Sequence, residues 1–567
     1  MELTKRIDSV FCRWDHPDTP GGQVLVKHHG KVIYDRCFGL ANLEHHIPIT
    51  PTTRFHVASV SKQITVLSLL LLAEQGKVDL DADVRTYLPD LVHWKETVTV
   101  RNLMNNTSGI RDQWELFCLR GIHYTDTITM RDFEQTLRPQ QTLNFQPGSR
   151  FLYSNSNFTM IAQIVHRISG MDLPDFAQQH IFTPLGMTHT CIRRGYWQMI
   201  PELALSYSDD GSGRFVPSAL NFALWGATSM NTNVSDLMLL LEHYHHPRIC
   251  SQKTIDEMMN CPTLADGSRS GYGGGLFVHE YKGHPCFEHG GVDAGYRAHV
   301  YSFPQDELDI AIVSNTSNTP TAVAAQQIAE IVLDLPADPP RPYETHTAAP
   351  QAGLYFFTDK EGEATLELVR DGEGWALCRN HGLTPLHDGP DGGWQIGYLP
   401  DRLRCTAEGL LWDAGAKTTP LHRLEQAKEE ENQSLLGSYS SEELTLTLDI
   451  HAQDGLLWCY HPRYGSDPMM QIDDTHFIYW QERSSAFLGH RLSRRQPDTG
   501  RRTLSEHGIP KTISSLSKKD RQKISVGPFL QNHSALLNGK MLLQKGAKSF
   551  LKRGGAQIQF FQIIVIP

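Results

Sequence analysis

The sequence predicts an α/β domain, built from an antiparallel sheet flanked by helices and completed by a helical subdomain, with two small antiparallel β-barrels after it. Three observations support this fold class. Strand-like alternation occurs within 22–39 and again within 272–314, on both sides of a mostly helical middle. A proline-rich stretch, 336–349, ends this first region. Beyond it the chain consists of short alternating segments with Gly and Asp turns, which is typical of small barrels.

The first predicted domain spans 1–335. Its beginning predicts a short helix within 2–14 and two strands joined by a His-His-Gly turn. A long apolar helix from Ser59 to Gln75 follows and ends at Gly76. Further helical patterns lie near 98–106, 129–137, 155–169 and 320–334, with a helix N-capped near Ser235, and strand patterns lie at 272–280, 284–288, 295–303 and 307–314.

Two later blocks of sequence begin alike, with Gly-Leu-Tyr at 353–355 and Gly-Ser-Tyr at 437–439. Each block opens an alternating strand that leads to a strand bearing tryptophan. This repetition predicts two related barrels, at 350–425 and 434–512, separated by a charged linker at 426–433.

The composition is that of a folded protein without a general affinity for nucleic acid. Of the 567 residues, 40% are hydrophobic and 20% are charged, and the formal net charge is −11. The charge is uneven, because the segment 513–567, which we expect to form a basic tail, is rich in Lys and Arg. The sequence contains no run of about 20 apolar residues, so we expect no membrane span.

The ten cysteines are scattered along the chain and form no Cys-x-x-Cys pair, which argues against a zinc ribbon or a thioredoxin-like site. The first ten residues lack the apolar core of a secretory signal. Free thiols in a chain without such a signal predict a reducing, cytoplasmic setting.

The long apolar helix begins with Ser59-Val-Ser-Lys62. Positions i and i+3 share one face of a helix, so the Ser59 hydroxyl and the Lys62 amine are expected to meet. A helix N-terminus offers free backbone N–H groups and favours a developing anion. A lysine in apolar surroundings has a lowered pKa and can act as a base near neutral pH. The alternative for this pair alone is an N-cap serine and a solvated lysine.

A second polar element, Tyr153-Ser-Asn155, follows a Pro-Gly turn in the helical middle. A phenolate near Lys62 can take the Ser59 proton and later deliver it to a leaving amine. The amide of Asn155 can bind a substrate carbonyl and hold Lys62 in place. Alternatively, Tyr153 packs as an interfacial aromatic and Asn155 caps the following helix.

A third element, His289-Gly-Gly291-Val292, completes a pattern that resembles the serine penicillin-recognising enzymes, the family of class C β-lactamases and D,D-peptidases. Ser-x-x-Lys, Tyr-x-Asn and His-x-Gly occur in that family's order and at its intervals. The resemblance covers about 1–335 and implies a β-lactamase-like fold. It implies that His289 supplies a donor or a positive charge to the cleft and that the glycines let the substrate backbone approach. The N–H of Val292, with that of Ser59, then forms the oxyanion hole.

Within that family the motifs are most similar to a branch of bacterial aminopeptidases specific for D-residues. The similar stretches are Ser-Val-Ser-Lys-Gln, Asn-Asn-Thr-Ser-Gly-Ile-Arg-Asp-Gln-Trp, Pro-Gly-Ser-Arg-Phe-Leu-Tyr-Ser-Asn and His-Gly-Gly. The resemblance implies an acyl-enzyme mechanism with Ser59, Lys62 and Tyr153 as catalytic residues. It implies release of small N-terminal D-residues, such as D-alanine, from small peptides or amides. It also implies two eight-stranded barrels and a cytoplasmic homodimer that needs neither metal nor cofactor.

In that branch a loop of the last barrel presents an acid to the free amine of the substrate. The matching loop lies near 479–487 in this sequence, so Glu482 is the first candidate for the amine anchor, with Asp467 and Asp498 behind it. A buried carboxylate left without an amine partner carries a desolvation penalty, which selects for substrates with a free amine. The final strand expected of the last barrel is not recognisable after residue 512.

Two other functions are compatible with the same motifs. The first is a different hydrolase on this scaffold, namely a carboxylesterase, a β-lactamase or a penicillin-binding D,D-peptidase, whose catalytic residues would be the same. The second is a non-catalytic, penicillin-binding-like module used for binding, against which the intact catalytic motifs argue.

Overall fold

The computed structural model describes most of the chain as far as Tyr479, and five strands beyond it. The described ranges are 3–12, 15–91, 93–209, 214–336, 346–359, 362–371, 374–379, 382–389, 393–396, 402–407, 409–414, 417–441, 443–472, 476–479, 522–525, 535–537, 540–542, 547–553 and 556–562.

A six-stranded antiparallel sheet forms the centre of the first domain. Its strands are β1 (Gly22–His28), β2 (Lys31–Phe38), β3 (Phe277–Tyr281), β4 (His284–Asp293), β5 (Tyr296–Phe303) and β6 (Leu308–Ser314). They lie in the order β3-β4-β5-β6-β1-β2, and every neighbouring pair is antiparallel. Strands from before and after the helical middle therefore share one sheet, as the sequence predicted.

Seven of the eleven α-helices that the structure describes in this domain match patterns predicted from the sequence. The eleven helices are α1 (Leu3–Phe11), α2 (Ser61–Glu74), α3 (Val100–Met104), α4 (Gln113–Leu119), α5 (Met130–Leu137), α6 (Asn155–Ser169), α7 (Leu173–Ala177), α8 (Thr183–Leu185), α9 (Val234–His245), α10 (Gln252–Met259) and α11 (Thr321–Val332). The start of α9 differs from the prediction, because Asn233 rather than Ser235 is its N-cap. The Asn233 side chain accepts a hydrogen bond from the N–H of Asp236.

Different helices cover the two faces of the sheet. Side chains alternate along each strand, so Val24 and Val26 of β1 face one side and Leu25 faces the other. On the first side they pack with apolar residues of α1 and α11. On the second side lies the larger core, which contains α2 and the helical subdomain.

Helix α2 is the buried centre of the domain. Every residue from Ser61 to Leu72 is buried, so the helix is enclosed on all sides instead of being amphipathic. It packs against α6, α7 and α10. A group placed at the N-terminus of α2 is therefore held by a rigid element.

Strand β4 is longer than the sequence pattern indicated. It was expected at 284–288 but continues to Asp293, so the His-Gly-Gly motif lies inside a paired strand. Strand β3 is shorter than expected, because it begins at Phe277 and not at residue 272.

A closed eight-stranded antiparallel barrel follows, which confirms the prediction of a barrel in this region. Its strands are β7 (Gly353–Asp359), β8 (Gly362–Asp371), β9 (Gly374–Arg379), β10 (Gly382–Asp388), β11 (Trp394–Ile396), β12 (Arg402–Thr406), β13 (Gly409–Ala414) and β14 (Lys417–Arg423). Strand β14 pairs back with β7. Alternate side chains such as Phe357, Leu368 and Trp412 form the core of the barrel.

A second sheet begins in the same way as the barrel. Tyr355 and Tyr439 each donate a hydroxyl hydrogen bond to the carbonyl oxygen four residues earlier, at 2.7 and 2.6 Å respectively. Each tyrosine lies two residues after a glycine with positive φ, Gly353 and Gly437. These shared details support the predicted internal repeat.

The second sheet draws strands from both sides of residue 512. The strands from β15 onward are β15 (Glu425–Gln426), β16 (Gly437–Ser441), β17 (Leu446–Gln453), β18 (Leu456–His461), β19 (Gly465–Gln471), β20 (His476–Tyr479), β21 (Gln522–Ser525), β22 (Ala535–Leu537), β23 (Lys540–Leu542), β24 (Ala547–Arg553) and β25 (Ala556–Gln562). The order in the sheet is β15-β19-β18-β17-β16-β21-β24-β25-β20, with β19 also paired to β20. Strands β21, β24 and β25 come from the segment expected to be a separate basic tail.

The expected domain bounds stay predictions. Much of the linker at 336–349 lies outside the described residues, and a short helix, Glu429–Asn432, lies within the predicted charged linker at 426–433. The chain divides into two compact units: the first comprises 1–423, 528–547 and 563–567, and the second comprises 424–527 and 548–562. Within the described residues, none of the helices combines the length and the apolar character needed to cross a lipid bilayer.

Candidate active site

Ser59 lies in a tight turn immediately before α2. The turn is a 3-10 helix, Ala58–Val60, and Ala58 has a left-handed backbone with a φ of 47°. Residues other than glycine rarely adopt this conformation, which is most often retained at functional positions. Ser59 is partly exposed, whereas the residues on both sides of it are buried. A rigid turn therefore presents its hydroxyl two residues before α2 begins, whereas the sequence predicted that the α-helix itself starts at Ser59.

A small sheet anchors this turn from behind. The strand Phe55–His56 pairs with Met230–Thr232, which also pairs with Cys191–Ile192. The N–H of Val57 donates to the carbonyl oxygen of Met230 at 3.0 Å. The segment before the nucleophile candidate is thus fixed to a part of the chain that is distant in sequence.

Lys62 is completely buried and directs its amine at three oxygen atoms. Its Nζ lies 2.9 Å from Ser59 Oγ, 2.8 Å from Asn155 Oδ1 and 2.8 Å from the carbonyl oxygen of Ala227. The sequence predicted the first two of these contacts. The carbonyl of Ala227 has no signal in the sequence, because any residue supplies such a group.

The surroundings of Lys62 lower its pKa and orient its amine toward Ser59. Burial lowers the pKa of Lys62 to about 7, although two nearby carboxylates act in the opposite direction. A neutral amine has two N–H groups and one lone pair. The oxygens of Asn155 and Ala227 can only accept, so they take the two N–H groups. The lone pair then faces Ser59 Oγ, in position to take its proton.

Tyr153 is buried beside this pair. Its side chain shares a hydrogen bond with Ser59, and Lys62 Nζ lies 4.9 Å from the centre of its ring. Burial raises the pKa of Tyr153 far more than the hydrogen bond with Ser59 lowers it. The phenolate expected from the sequence is therefore not supported. Tyr153 is a neutral phenol, which can donate or relay a proton.

Asn155, the first residue of α6, joins Lys62 to a buried carboxylate. Asp112 Oδ2 accepts hydrogen bonds from the backbone N–H of Asn155 at 2.6 Å and from its Nδ2 at 2.8 Å. These bonds fix the amide so that its Oδ1 faces Lys62. Asp112 also caps α4 by accepting from the N–H of Trp114 at 2.8 Å. The sequence signals this cap, but it does not signal that Asp112 reaches Asn155.

His289 lies on β4 and is buried. Its Nδ1 lies 2.6 Å from the carbonyl oxygen of Gly290, and its Nε2 lies 3.1 Å from the hydroxyl of Tyr272. Burial, helped by the charge of Lys62, lowers the pKa of His289 to about 3, so the ring is neutral. Because the carbonyl only accepts, Nδ1 carries the proton and Nε2 accepts from Tyr272. The neutral ring does not support a positive charge, one of the two alternatives expected for His289, and the donor role stays a prediction. Both ring nitrogens have partners within the protein.

Gly291 brings β4 against the turn that carries Ser59. A Cβ atom at this position would lie 2.1 Å from the carbonyl oxygen of Val57. The sequence predicted that the substrate backbone approaches at this glycine, but the space beside Gly291 is filled by the protein's own backbone. Val292 follows on the same strand and is partly exposed. Its oxyanion role stays a prediction, in a strand that contacts the turn where it is needed.

The candidates for the amine anchor are not tested by this geometry. Glu482 and Asp498 lie outside the described residues. Asp467 is described and is buried on β19. In the described part of the chain, no three side chains of His, Cys, Asp or Glu are grouped so that they could hold a metal ion.

The arrangement is suited to acyl transfer. An accessible hydroxyl, a neutral amine aimed at it and a buried phenol can move one proton from nucleophile to leaving group. A serine activated by lysine in place of histidine is a known form of this machinery. The fold and the site together define a serine hydrolase.

Comparison with known proteins places the chain more closely. The Beta-lactamase family model matches residues 8–333, more than half of the chain, and the chain belongs to this family. It is 28% identical over 430 residues to a D-aminopeptidase of Gluconobacter oxydans, covering 75% of this chain and 80% of that protein. It is 25% identical over 465 residues to a D-aminopeptidase of Brucella anthropi, covering 78% of this chain and 83% of that protein.

The fold also resembles that of a solved structure. The octameric penicillin-binding protein homologue from Pyrococcus abyssi superimposes with a TM-score of 0.54 at 20% identity. The match covers 82% of this chain and 98% of that one. At this level of identity the likeness concerns the fold alone.

Proposed function

We propose that the protein is a D-stereospecific aminopeptidase, which releases small N-terminal D-residues such as D-alanine from peptides and amides through an acyl-enzyme on Ser59. The observation that carries the chemistry is the 2.9 Å distance between Lys62 Nζ and Ser59 Oγ, together with the burial that lowers the pKa of Lys62 to about 7. The substrate class is supported by the relatives from Gluconobacter oxydans and Brucella anthropi, both named D-aminopeptidase.

Acylation transfers one proton from the serine to the leaving amine. Lys62 takes the proton of Ser59 as Oγ attacks the amide carbon, and the N–H groups of Ser59 and Val292 stabilise the oxyanion. Tyr153 gives its phenolic proton to the departing amine and is restored by the Lys62 ammonium. The neutral state of Tyr153 favours this donor role.

Deacylation again uses Lys62 as the proton carrier. Lys62 takes a proton from water, which attacks the acyl carbon of the ester on Ser59. When the tetrahedral intermediate collapses, the Lys62 ammonium returns a proton to the serine oxygen and the D-amino acid leaves. Asn155 keeps the amine aimed at Ser59 throughout, because its amide is fixed by Asp112.

Four substrates test the proposal: D-alanine p-nitroanilide, L-alanine p-nitroanilide, p-nitrophenyl butyrate and nitrocefin. We expect the D-anilide to be hydrolysed with the highest kcat/KM. Dominant ester activity would show a carboxylesterase instead, and rapid nitrocefin turnover would show a β-lactamase. A fluorescent phosphonate that fails to label the protein would indicate a non-catalytic binding module.

The nucleophile is tested by a pair of serine variants. Ser59→Ala is expected to abolish hydrolysis of the D-anilide and labelling by the phosphonate. Ser68→Ala is the control, because Ser68 is a buried serine of the same helix whose hydroxyl donates to the carbonyl oxygen of Ile64. Full activity in Ser59→Ala would exclude the mechanism.

Three further parts of the proposal concern the amine anchor, the assembly and the compartment. We propose Glu482 as the anchor, so Glu482→Gln should raise KM for the D-anilide and leave p-nitrophenyl butyrate unaffected. The homodimer rests on the resemblance of the sequence motifs and is tested by light scattering. The cytoplasmic setting is supported by nine of the ten cysteines, which are free thiols in the described part of the chain.

A further inference from the structure

A polar cluster beside the candidate active site has no part in the mechanism above. This Asp293 cluster consists of His56, Thr228 and Asp293, all buried. Asp293 Oδ2 lies 2.9 Å from His56 Nε2 and accepts a hydrogen bond from Thr228 Oγ1. Thr228 Oγ1 lies 3.1 Å from His56 Nε2. The three side chains therefore form a closed triangle of polar contacts.

Each member of the cluster lies within three residues of one that the proposed mechanism uses. His56 precedes the turn that carries Ser59, Thr228 follows Ala227, whose carbonyl holds Lys62, and Asp293 follows Val292. The segments joined in this way are far apart in sequence, since 237 positions separate His56 from Asp293 and 65 separate Thr228 from Asp293.

We propose that the Asp293 cluster is a positioning device. It holds three segments in register: the turn that carries Ser59, the segment of Ala227, whose carbonyl accepts a hydrogen bond from Lys62, and the strand that carries Val292. This inference rests on the proposed function. Buried hydrogen bonds among three side chains resist small relative shifts of the segments that carry them. A displacement of about 1 Å between reacting groups costs on the order of 10²-fold in rate.

The negative charge of Asp293 has a second effect that can be measured. Asp293 and Asp112 both favour the ammonium form of Lys62. Tyr153 and His289 also face Lys62, but burial keeps both neutral. Neutralising Asp293 therefore lowers the pKa of Lys62 further and moves the acid limb of kcat/KM to lower pH.

A second cluster with the same chemistry provides a matched control. Asp309 Oδ1 lies 2.9 Å from His245 Nε2 and accepts from Ser302 Oγ at 2.6 Å. Asp309 is buried as well, but its neighbours on β5 and β6 take no part in the mechanism. Asp309→Asn thus removes an equivalent carboxylate without touching the three segments.

The experiment compares wild type, Asp293→Asn and Asp309→Asn across pH on two substrates, D-alanine p-nitroanilide and the amine-free p-nitrophenyl acetate. We expect Asp293→Asn to lower kcat by about 10- to 100-fold on both substrates, with little change in KM. Its acid limb should move to lower pH. Asp309→Asn should keep the wild-type kcat and pH profile.

A second pair of variants applies if Asp293→Asn does not fold. Thr228→Val removes the hydroxyl and keeps the shape, so it should lower kcat on both substrates. Thr228→Ser restores the hydroxyl and should recover most of that loss. Equal activity of the two variants would overturn the role of the cluster.

Other outcomes separate this inference from the proposed function. If the wild type is active and Asp293→Asn keeps the wild-type kcat and acid limb, the positioning role of the cluster is overturned and the proposed function stands. A loss confined to the amine-bearing substrate overturns the positioning role too, because Asp293 would then contact the substrate. A wild type inactive on both substrates overturns the proposed function, and the cluster's role falls with it.

Discussion

A Cβ atom on Gly291 would lie 2.1 Å from the carbonyl oxygen of Val57, two residues before Ser59. This proximity makes the strand that bears Val292 a direct neighbour of the nucleophile turn. An oxyanion hole built from the N–H groups of Ser59 and Val292 depends on that spacing. The glycine is therefore required by packing between two parts of the protein.

Gly291→Ala is expected to separate β4 from the nucleophile turn. The added methyl group must push the Val57 carbonyl or the strand away, which costs about 1–3 kcal/mol of stability. We expect a lower melting temperature and a fall in kcat of about 10²-fold or more, as for loss of an oxyanion donor. Steady-state kinetics on the D-anilide and thermal unfolding check both effects.

Gly290→Ala is the control for this prediction. Its Cβ would meet the nearest atom, Nδ1 of the His299 side chain, at 3.3 Å, which a small adjustment accommodates. We expect Gly290→Ala to keep most of the activity. Similar losses in both variants would show that any substitution in this strand is harmful, and would remove the argument from the Val57 contact.

The pH dependence of the reaction should report the lysine. Because burial lowers the pKa of Lys62 to about 7, the base form is scarce below that pH and abundant above it. We expect kcat/KM to rise with pH through about 7 and then to level off. Lys62→Arg stays protonated at every pH, so it should lose about 10²–10⁴-fold in rate throughout.

An exposed lysine serves as the comparison. Lys77 lies beyond the C-terminal end of α2 and is exposed, so Lys77→Arg should keep the wild-type profile. A wild-type acid limb that lies several pH units away from 7 would contradict the assignment of Lys62 as the base.

Asp112 should affect activity through its contacts with Asn155. Its carboxylate accepts two hydrogen bonds from Asn155, and its charge raises the pKa of Lys62. Asp112→Asn replaces an acceptor by a group that also donates, so the amide of Asn155 loses its fixed orientation. We expect a fall in kcat and an acid limb at lower pH.

Asp83→Asn separates this effect from simple helix capping. Asp83 caps a short helix by accepting from the N–H of Arg85 at 2.8 Å, as Asp112 does at the start of α4. Thermal unfolding should show some destabilisation in both variants, but only Asp112→Asn should change the pH profile. An unchanged profile in Asp112→Asn would limit its role to the cap.

The parts of the site that the sequence predicted are those set by local geometry. Ser59 and Lys62 meet because three residues of helix separate them, and Tyr153 and Asn155 stand together at the start of α6. The alternation of strands likewise predicted the sheet and the first barrel. These features depend on spacing, which can be read without knowing the fold.

The parts that the sequence did not predict depend on tertiary contacts. Asp112 reaches Asn155 across 43 positions, and Asp293 reaches His56 across 237. The neutral state of His289 follows from burial on a strand that continues beyond its apparent end. Neither residue type nor spacing contains that information.

A buried carboxylate on β4 should control how stability varies with pH. Glu288 lies 2.9 Å from His279 Nε2 and 2.6 Å from His299 Nε2. Burial lowers the pKa of His279, but hydrogen bonds with Cys286 and Glu288 more than reverse this and raise it to about 10. Burial raises the pKa of Glu288, yet the hydrogen bonds from both histidines leave it below its ordinary value.

The two shifts define a pH window. A raised pKa on His279 stabilises the fold fully below its unfolded value of 6.5, and this contribution is lost as pH rises toward about 10. A lowered pKa on Glu288 contributes above 4.5 and is lost as pH falls. His279 and Glu288 together therefore stabilise the fold most between pH 4.5 and 6.5.

Glu288→Gln should flatten the fall in stability between pH 6.5 and 10, because His279 no longer has an anion that holds its proton. The measurement is urea unfolding at intervals of pH, with the variant compared with wild type so that other titrating groups, Lys62 among them, cancel. Glu280→Gln removes an exposed carboxylate from the strand of His279 and should leave the wild-type slope unchanged. If Glu288→Gln loses stability by the same amount at every pH in this range, the carboxylate contributes packing and hydrogen bonds but does not set the charge of His279.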